Sequence, residues 1–169
     1  MTVTSIRKDT EALAMTITTE LDASVERAWQ LWADPRQLER WWGPPTYPAT
    51  VVDHDLTPGG RVTYFMTGPE GDKFHGWWQV LAVEPPNRLE LEDGFADDSG
   101  TPNPAMPTTT MVMTLTERDG GGTLMAIESH FPSLQAMEQL VSMGMVDGIA
   151  AALGQLEGIL AEDPAASAS

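Results

Sequence analysis

An α+β domain is the fold class that the sequence predicts, and three observations indicate it. Apolar residues alternate with a period of two over most of residues 50–130, which is typical of antiparallel strands joined by short turns. Two short helical patterns precede this region, and one long helical pattern follows it over residues 134–161. Because strands and helices occupy separate stretches, the pattern favours α+β over alternating β–α units.

The N-terminal elements are one strand and two short helices. Residues 12–21 alternate and predict the first strand. Trp29 and Trp32 recur at helical spacing and are expected in the core of the first helix. A second helix begins at Pro35, because proline suits a first helical turn, and it ends at Gly43.

Six further strands are expected, joined by turns rich in glycine, proline and aspartate. In the third of them, a bulge between Gly76 and Glu84 would decide whether Trp77 or Trp78 points inward. Residues 94–107 are interpreted as a long loop, of the kind that often forms a lid or a binding loop. The expected strands are 50–56, 61–67, 73–84, 88–93, 108–118 and 123–130.

The final helix is expected to carry four interior glycines, each of which costs about 1 kcal/mol of helix propensity relative to alanine. Gly144 and Gly148 share its apolar face, where a missing side chain either lets a tryptophan pack closely or leaves space for a ligand. We therefore expect three parts in the chain: an N-terminal extension (1–11), one domain (12–161) and a frayed tail (162–169).

Charge and composition exclude several classes of function. The chain has 9 Lys and Arg against 25 Asp and Glu, a formal charge of −16, so nucleic acids and membrane surfaces are not expected partners. It has 0 cysteines, which excludes thiolate catalysis and fits a cytoplasmic location. We expect no signal peptide, membrane span, metal site or cofactor, because none of the corresponding motifs is present.

The order of elements and several local motifs resemble the START-like (SRPBCC) superfamily and, within it, the bacterial relatives of the heat-shock chaperone ATPase activator. Two departures are the stretch between Gly76 and Glu84, which is longer than usual, and the loop at 94–107, which shorter members lack. The matching segments are 22–29, Asp34-Pro35, Trp41-Trp42-Gly43-Pro44, 55–60, Gly76, 83–89, Gly121-Gly122-Thr123 and the last helix.

This resemblance implies a helix-grip fold, in which a curved antiparallel sheet of about seven strands wraps around the long C-terminal helix. It does not imply one activity, because the fold hosts lipid carriers, cyclases and chaperone stimulators. Our first hypothesis is a START-like domain that binds a small hydrophobic molecule between sheet and helix. An interaction module that stimulates a chaperone ATPase is the second, and a polyketide cyclase-like or hydratase-like enzyme is the third.

The candidate ligand-binding residues are those expected to face the interior. The chain has 10 methionines, and for any one of them core packing is the favoured interpretation, but together flexible methionines suit a deformable cavity. His54 could act as an acid or base with Tyr64, but an inward histidine is more often a core group, so no catalytic residue is assigned. The set is Trp42, His54, Tyr64, Met66, Trp78, Phe95 as a cover on the loop, Met111, Met113, Met125, Met137, Val141, Gly144 and Gly148.

Overall fold

The computed structural model describes residues 3–162 and confirms the α+β class and the helix-grip arrangement. Two of its strands precede the first helix, six lie between the second helix and the C-terminal helices, and the whole sheet is antiparallel. The strands are β1 Val3–Asp9, β2 Ala14–Leu21, β3 Ala49–His54, β4 Arg61–Thr67, β5 Lys73–Glu84, β6 Arg88–Ala96, β7 Thr109–Glu117 and β8 Thr123–His130; the helices are α1 Val25–Ala33, α2 Pro35–Trp41, α3 Leu134–Ser142, α4 Met145–Leu153 and α5 Leu156–Glu162.

The eight strands form one sheet in the order β1-β2-β8-β7-β6-β5-β4-β3. Strand β1 is additional to the seven that the sequence indicates, and it lies within the stretch expected to be an N-terminal extension. It pairs with β2, with Ile6 opposite Ile17. Ile6 is 41% exposed, so this edge strand buries little apolar surface. Its sequence therefore lacks the alternating pattern that would predict a strand.

The two N-terminal helices form where the sequence predicts them, because both have side-chain caps. The Ser24 hydroxyl accepts a hydrogen bond from the Arg27 backbone N–H at 3.1 Å, and the Asp34 carboxylate accepts one from Arg36 N–H at 2.9 Å. Trp32 of α1 is fully buried, and the Trp41 indole N–H of α2 donates to the Leu31 carbonyl at 2.9 Å. These contacts hold α1 and α2 against the core.

The C-terminal helical segment is present but bends by 60° after α3. Gly144 has φ +91° and follows Met143, the C-cap of α3, so it ends that helix in the left-handed conformation. Gly154 is the C-cap of α4. Two of the four glycines expected inside one helix therefore lie at its interruptions, and only Gly148 and Gly158 are in helix interiors.

We expect Gly144→Ala to lower the free energy of unfolding by about 1 kcal/mol, because a side chain is unfavourable in the left-handed conformation. Gly158→Ala is the matched control, since a Cβ there meets nothing within 4 Å and alanine raises helix propensity. Denaturant unfolding monitored by circular dichroism measures both. Equal stabilisation by the two substitutions would contradict the assigned role of Gly144.

Strand β5 contains a bulge, but the bulge follows the tryptophan pair. Its register against β6 shifts between Val80 and Ala82, so Leu81 is the extra residue. Trp77 and Trp78 precede this shift and alternate normally. Trp78 points into the core and is 0% exposed, whereas Trp77 covers the outer face, where its indole N–H donates to the Phe95 carbonyl at 3.1 Å.

Two remaining expectations concern the C-terminus and membranes. Of the frayed tail expected at 162–169, all but Glu162 lies outside the described residues. Among residues 3–162 no single helix has the length and apolar character of a membrane span. Only α3 taken together with Met145–Glu162 meets those criteria, as a bent pair.

Candidate functional site

A pocket of about 300 Å³ lies between the inner face of the sheet and the helices. Its sheet wall comes from β4 to β8, and its opposite wall comes from α2, α3, α4 and the bend at Gly144. Most of the lining is apolar. The sheet wall includes Tyr64, Met66, Gly76, Asp93, Met111 and Ile127; the helical wall includes Trp41, Trp42, Leu140, Gly148, Ile149 and Ala152.

Large apolar side chains also surround the pocket where it meets solvent. Phe74 is 54% exposed, Met143 is 55% exposed and Phe95 is 37% exposed, and all three line the pocket. Exposed apolar groups gathered in one place commonly mark a binding site. We therefore take these three residues as the rim of the pocket.

The structure brings together about half of the residues that the sequence indicates as ligand-binding. Those lining the pocket are Trp42, Tyr64, Met66, Phe95, Met111, Gly144 and Gly148. The remaining ones do not line it: His54, Trp78, Met113, Met125, Met137 and Val141.

The methionines divide according to depth. Met113 and Met125 are 0% exposed and Met137 is 2% exposed, so all three pack the core. Met125 also accepts a hydrogen bond from the Trp32 indole N–H at 3.4 Å. A period of two identifies the inward face of a strand. It does not distinguish residues of that face that are packed against other side chains from residues that line the pocket.

His54 lies away from the pocket. Its Nε2 is 3.0 Å from the Trp32 carbonyl oxygen of α1. In β3 the register shifts between Val51 and Asp53, which leaves Val52 61% exposed instead of on the same face as His54. His54 and Tyr64 therefore do not face a common cavity, and the acid–base pair considered from the sequence is not assembled.

Phe95 is a strand residue, whereas the sequence places it on a loop. Strand β6 continues to Ala96, and Phe95 pairs with Gly76 of β5. The loop after β6 is ordered around Asp97, whose carboxylate accepts hydrogen bonds from Ser99 and Thr101. Only Pro107 of residues 97–108 lines the pocket.

Four tryptophans and Tyr64 form a continuous aromatic cluster beside the pocket. The Trp42 ring centroid is 4.9 Å from that of Trp78 and 6.0 Å from that of Tyr64, both nearly perpendicular at 86°. Trp32 and Trp41 are 4.9 Å apart in a similar geometry. Edge-to-face contacts of this kind stabilise the cluster and restrict the orientation of each ring.

Gly76 makes room for the Tyr64 side chain. A Cβ at this position would lie 2.5 Å from the phenol oxygen and 2.5 Å from the ring carbon that bears it. The backbone of β5 thus supports the tyrosine ring. Burial raises the pKa of the Tyr64 hydroxyl well above its ordinary value, the charge of Asp93 raises it further, and the nearby indole groups of Trp42 and Trp78 lower it.

The indole N–H groups of Trp42 and Trp78 are buried and make no hydrogen bond of standard geometry within the described residues. Buried polar groups are normally hydrogen-bonded, and the nearest acceptor to both donors is the Tyr64 hydroxyl; of the two tryptophans only Trp42 lines the pocket. Both adjoin the Tyr64 hydroxyl. This end of the pocket is therefore its polar end.

Asp93 is the principal residue that the sequence analysis missed. It lines the pocket, pairs with Trp78 and Thr109 on the same face of the sheet, and lies close to Tyr64. Asp93 is half-buried, and this desolvation, with a smaller contribution from the Glu92 charge, raises its pKa to about 7. The signal was present, because Asp93 continues the period-two series of Leu89 and Leu91.

The described residues contain no group of three His, Cys, Asp or Glu side chains able to hold a metal ion. Asp93, Tyr64 and His75 are the ionisable residues that line the pocket. The pocket is therefore suited to an apolar molecule with a polar group at the Asp93 end.

Comparison with known proteins places this architecture in a family. Residues 22–161 match the family described as "Activator of Hsp90 ATPase homolog 1-like protein". The chain belongs to that family. Its match spans α1 to α5 and includes every pocket-lining residue, so the pocket lies within the part of the chain that the family shares.

Two solved structures of family-like proteins are similar in both sequence and fold. Protein Ms6760 from Mycobacterium smegmatis is 49% identical, with a TM-score of 0.87, over 94% of this chain and 96% of that chain. A protein from Arthrobacter aurescens is 47% identical, with a TM-score of 0.90, over 95% and 93%.

A more distant structure, from Staphylococcus epidermidis, is 26% identical, with a TM-score of 0.81, over 95% of both chains. The comparison with curated proteins finds no match. The family therefore supports a ligand-binding or interaction module in general, and the specific function is a matter for proposal.

Proposed function

We propose that the protein binds a small, mostly apolar molecule in the pocket beneath its C-terminal helices. The observation that carries the proposal is an apolar cavity of about 300 Å³ with Asp93, Tyr64 and the Trp42 indole together at one end. Ligand sites commonly combine apolar walls with a few polar groups that fix orientation. The exposed apolar rim offers a path for entry.

Gly148 provides a direct way to test the proposal. It lies inside α4, lines the pocket, and a Cβ there would meet nothing within 4 Å. A leucine at this position therefore extends into the cavity instead of into packed atoms. Gly158 is the matched control, because it is also a helix-interior glycine with open space, but it is exposed and does not line the pocket.

We expect the neutral apolar dye N-phenyl-1-naphthylamine to bind the natural protein and to become more fluorescent as it enters the pocket. Gly148→Leu should weaken that binding at least about 10-fold, equivalent to 1.4 kcal/mol, while Gly158→Leu leaves it unchanged. Fluorescence titration measures both affinities, and circular dichroism verifies that both variants fold. Dye binding that is equally strong in both variants would contradict a ligand site in this pocket.

The family's description favours a second function, the stimulation of a chaperone ATPase. On this proposal, adding the protein to purified Hsp90 raises its rate of ATP hydrolysis. Gly148→Leu should leave that stimulation intact, because the substitution alters the pocket and not the outer surface. An unchanged hydrolysis rate at saturating protein would remove this proposal without affecting the first.

A further inference from the structure

The Asp93 carboxyl is the one carboxyl group that faces the pocket from the described residues. No hydrogen bond or ion pair to its side chain is present among them, although it lies between Trp78 and Thr109 of the neighbouring strands. An ionised carboxylate in apolar surroundings is unfavourable unless a donor or an opposite charge compensates it. Within the described residues, Asp93 is therefore a pocket-facing acceptor to which no protein donor is hydrogen-bonded, although the Tyr64 hydroxyl and the Trp42 indole N–H lie at the same end.

Aromatic faces surround the same space. Trp41, Trp42, Tyr64, Phe74 and Phe95 all line the pocket. The negative faces of aromatic rings attract cations, and tryptophan does so most strongly. An apolar pocket that combines several rings with one carboxylate suits an ammonium group attached to an apolar body.

The charges around the pocket also favour a cationic ligand. Within residues 3–162 no lysine or arginine lines it, so an anionic head group would meet no permanently positive side chain. His75 also lines the pocket, but its ring packs 5.5 Å from that of Phe65, and no hydrogen bond or ion pair joins it to Asp93 among the described residues. The net charge of −16 further favours a cation over an anion.

We infer that the molecule bound in this pocket is an apolar amine, whose protonated nitrogen lies against the Asp93 carboxylate and the neighbouring aromatic rings. This inference rests on the proposed function and adds the chemical class of the ligand. A charged N–H to carboxylate contact is about twice as strong as a neutral hydrogen bond, so the amine should be preferred over an uncharged analogue.

A series of three probes with one apolar body tests the inference: 1-naphthylmethylamine, 1-naphthylmethanol and 1-naphthoic acid. Isothermal titration calorimetry measures the three affinities at about pH 8. At this pH Asp93 and an ordinary carboxylic acid are ionised and the amine is protonated. We expect the amine to bind at least about 10-fold tighter than the alcohol. The acid should bind most weakly of the three.

Two variants separate a direct contact from general attraction. Asp93→Asn should abolish the preference for the amine while the alcohol binds as before. Glu92→Gln removes the same charge from the adjacent residue, which lies opposite Gln79 and outside the pocket lining, and it should retain the preference. Since both variants lose one negative charge, long-range attraction is equal in them.

The outcomes distinguish this inference from the proposed function. Suppose that the alcohol binds, that Gly148→Leu blocks this binding, and that the amine is not preferred. That result would overturn the inference and leave the binding function standing. An amine preference that persists in Asp93→Asn, or tightest binding of the acid, would also overturn it. Failure of all three probes to bind would remove both proposals.

Discussion

Replacing Trp78 by alanine is expected to lower the free energy of unfolding by about 3–5 kcal/mol. Its side chain is fully buried, and its ring lies 4.9 Å from Trp42, 6.0 Å from Trp32 and 6.3 Å from Tyr64. Removing it deletes the ring that joins strand β5 to the helices and leaves a cavity in the core. Chemical denaturation with fluorescence or circular dichroism detection measures the loss.

Trp78→Phe is the control that separates packing from hydrogen bonding. Phenylalanine keeps a buried ring but loses the indole N–H, which has no partner of standard geometry within the described chain. We expect Trp78→Phe to lower the free energy of unfolding by less than half as much as Trp78→Ala does, because most of the packing is retained. A loss as large as that of Trp78→Ala would show that the N–H group, and not the ring, carries the effect.

Asp93→Asn is expected to stabilise the protein, and by more as the pH rises. The folded protein holds the pKa of Asp93 at about 7, above the value of 3.8 for an unperturbed aspartate. Stability contributed by the protonated carboxyl is fully present below the unfolded pKa and is lost as pH rises toward 7. Asparagine does not ionise, so its advantage should grow by up to about 1.4 kcal/mol for each pH unit between about pH 5 and 7.

Thermal or denaturant unfolding of both proteins across this pH range tests the prediction, with Asp97→Asn as the control. Asp97 is exposed, and hydrogen bonds led by the one from the Ser99 hydroxyl lower its pKa, so removing its charge should give no gain at high pH. If the difference between natural protein and Asp93→Asn stays constant from about pH 5 to 8, the carboxyl does not lie in apolar surroundings.

Most of the secondary structure could be predicted from local pattern. Strands β4, β5 and β8 have the bounds that alternation and turn residues indicate, and the second helix begins at Pro35 as predicted. Two features could not be predicted from local pattern. Strand β1 lacks an apolar face because it lies at the sheet edge, and the bend at Gly144 arises from a left-handed conformation that glycine permits but does not require.

The candidate site was predictable only in part. A pocket forms where side chains from separate elements leave space between them, and local sequence pattern does not show that space. Tyr64, Met66 and Met111 lie on inward faces that alternation identifies, and all three line the cavity. Met113 and Met125 lie on inward faces equally, yet helices fill the space in front of them. Asp93 follows the same alternation, but sequence alone does not distinguish a charge at an inward position from the end of a strand.

The sequence by itself determined the α+β class, the family resemblance and most of the side chains that turn inward, because these depend on period, turns and caps within short stretches. Only the tertiary structure decided which inward residues meet a cavity, that Trp78 and not Trp77 is in the core, and that His54 contacts α1 instead of the pocket. The bulge at Val52 affects the position of His54, and the bend of the last helix affects the pocket wall. The register of β5 against β6 places Trp78 inward, and the bulge at Leu81 comes only after that pair.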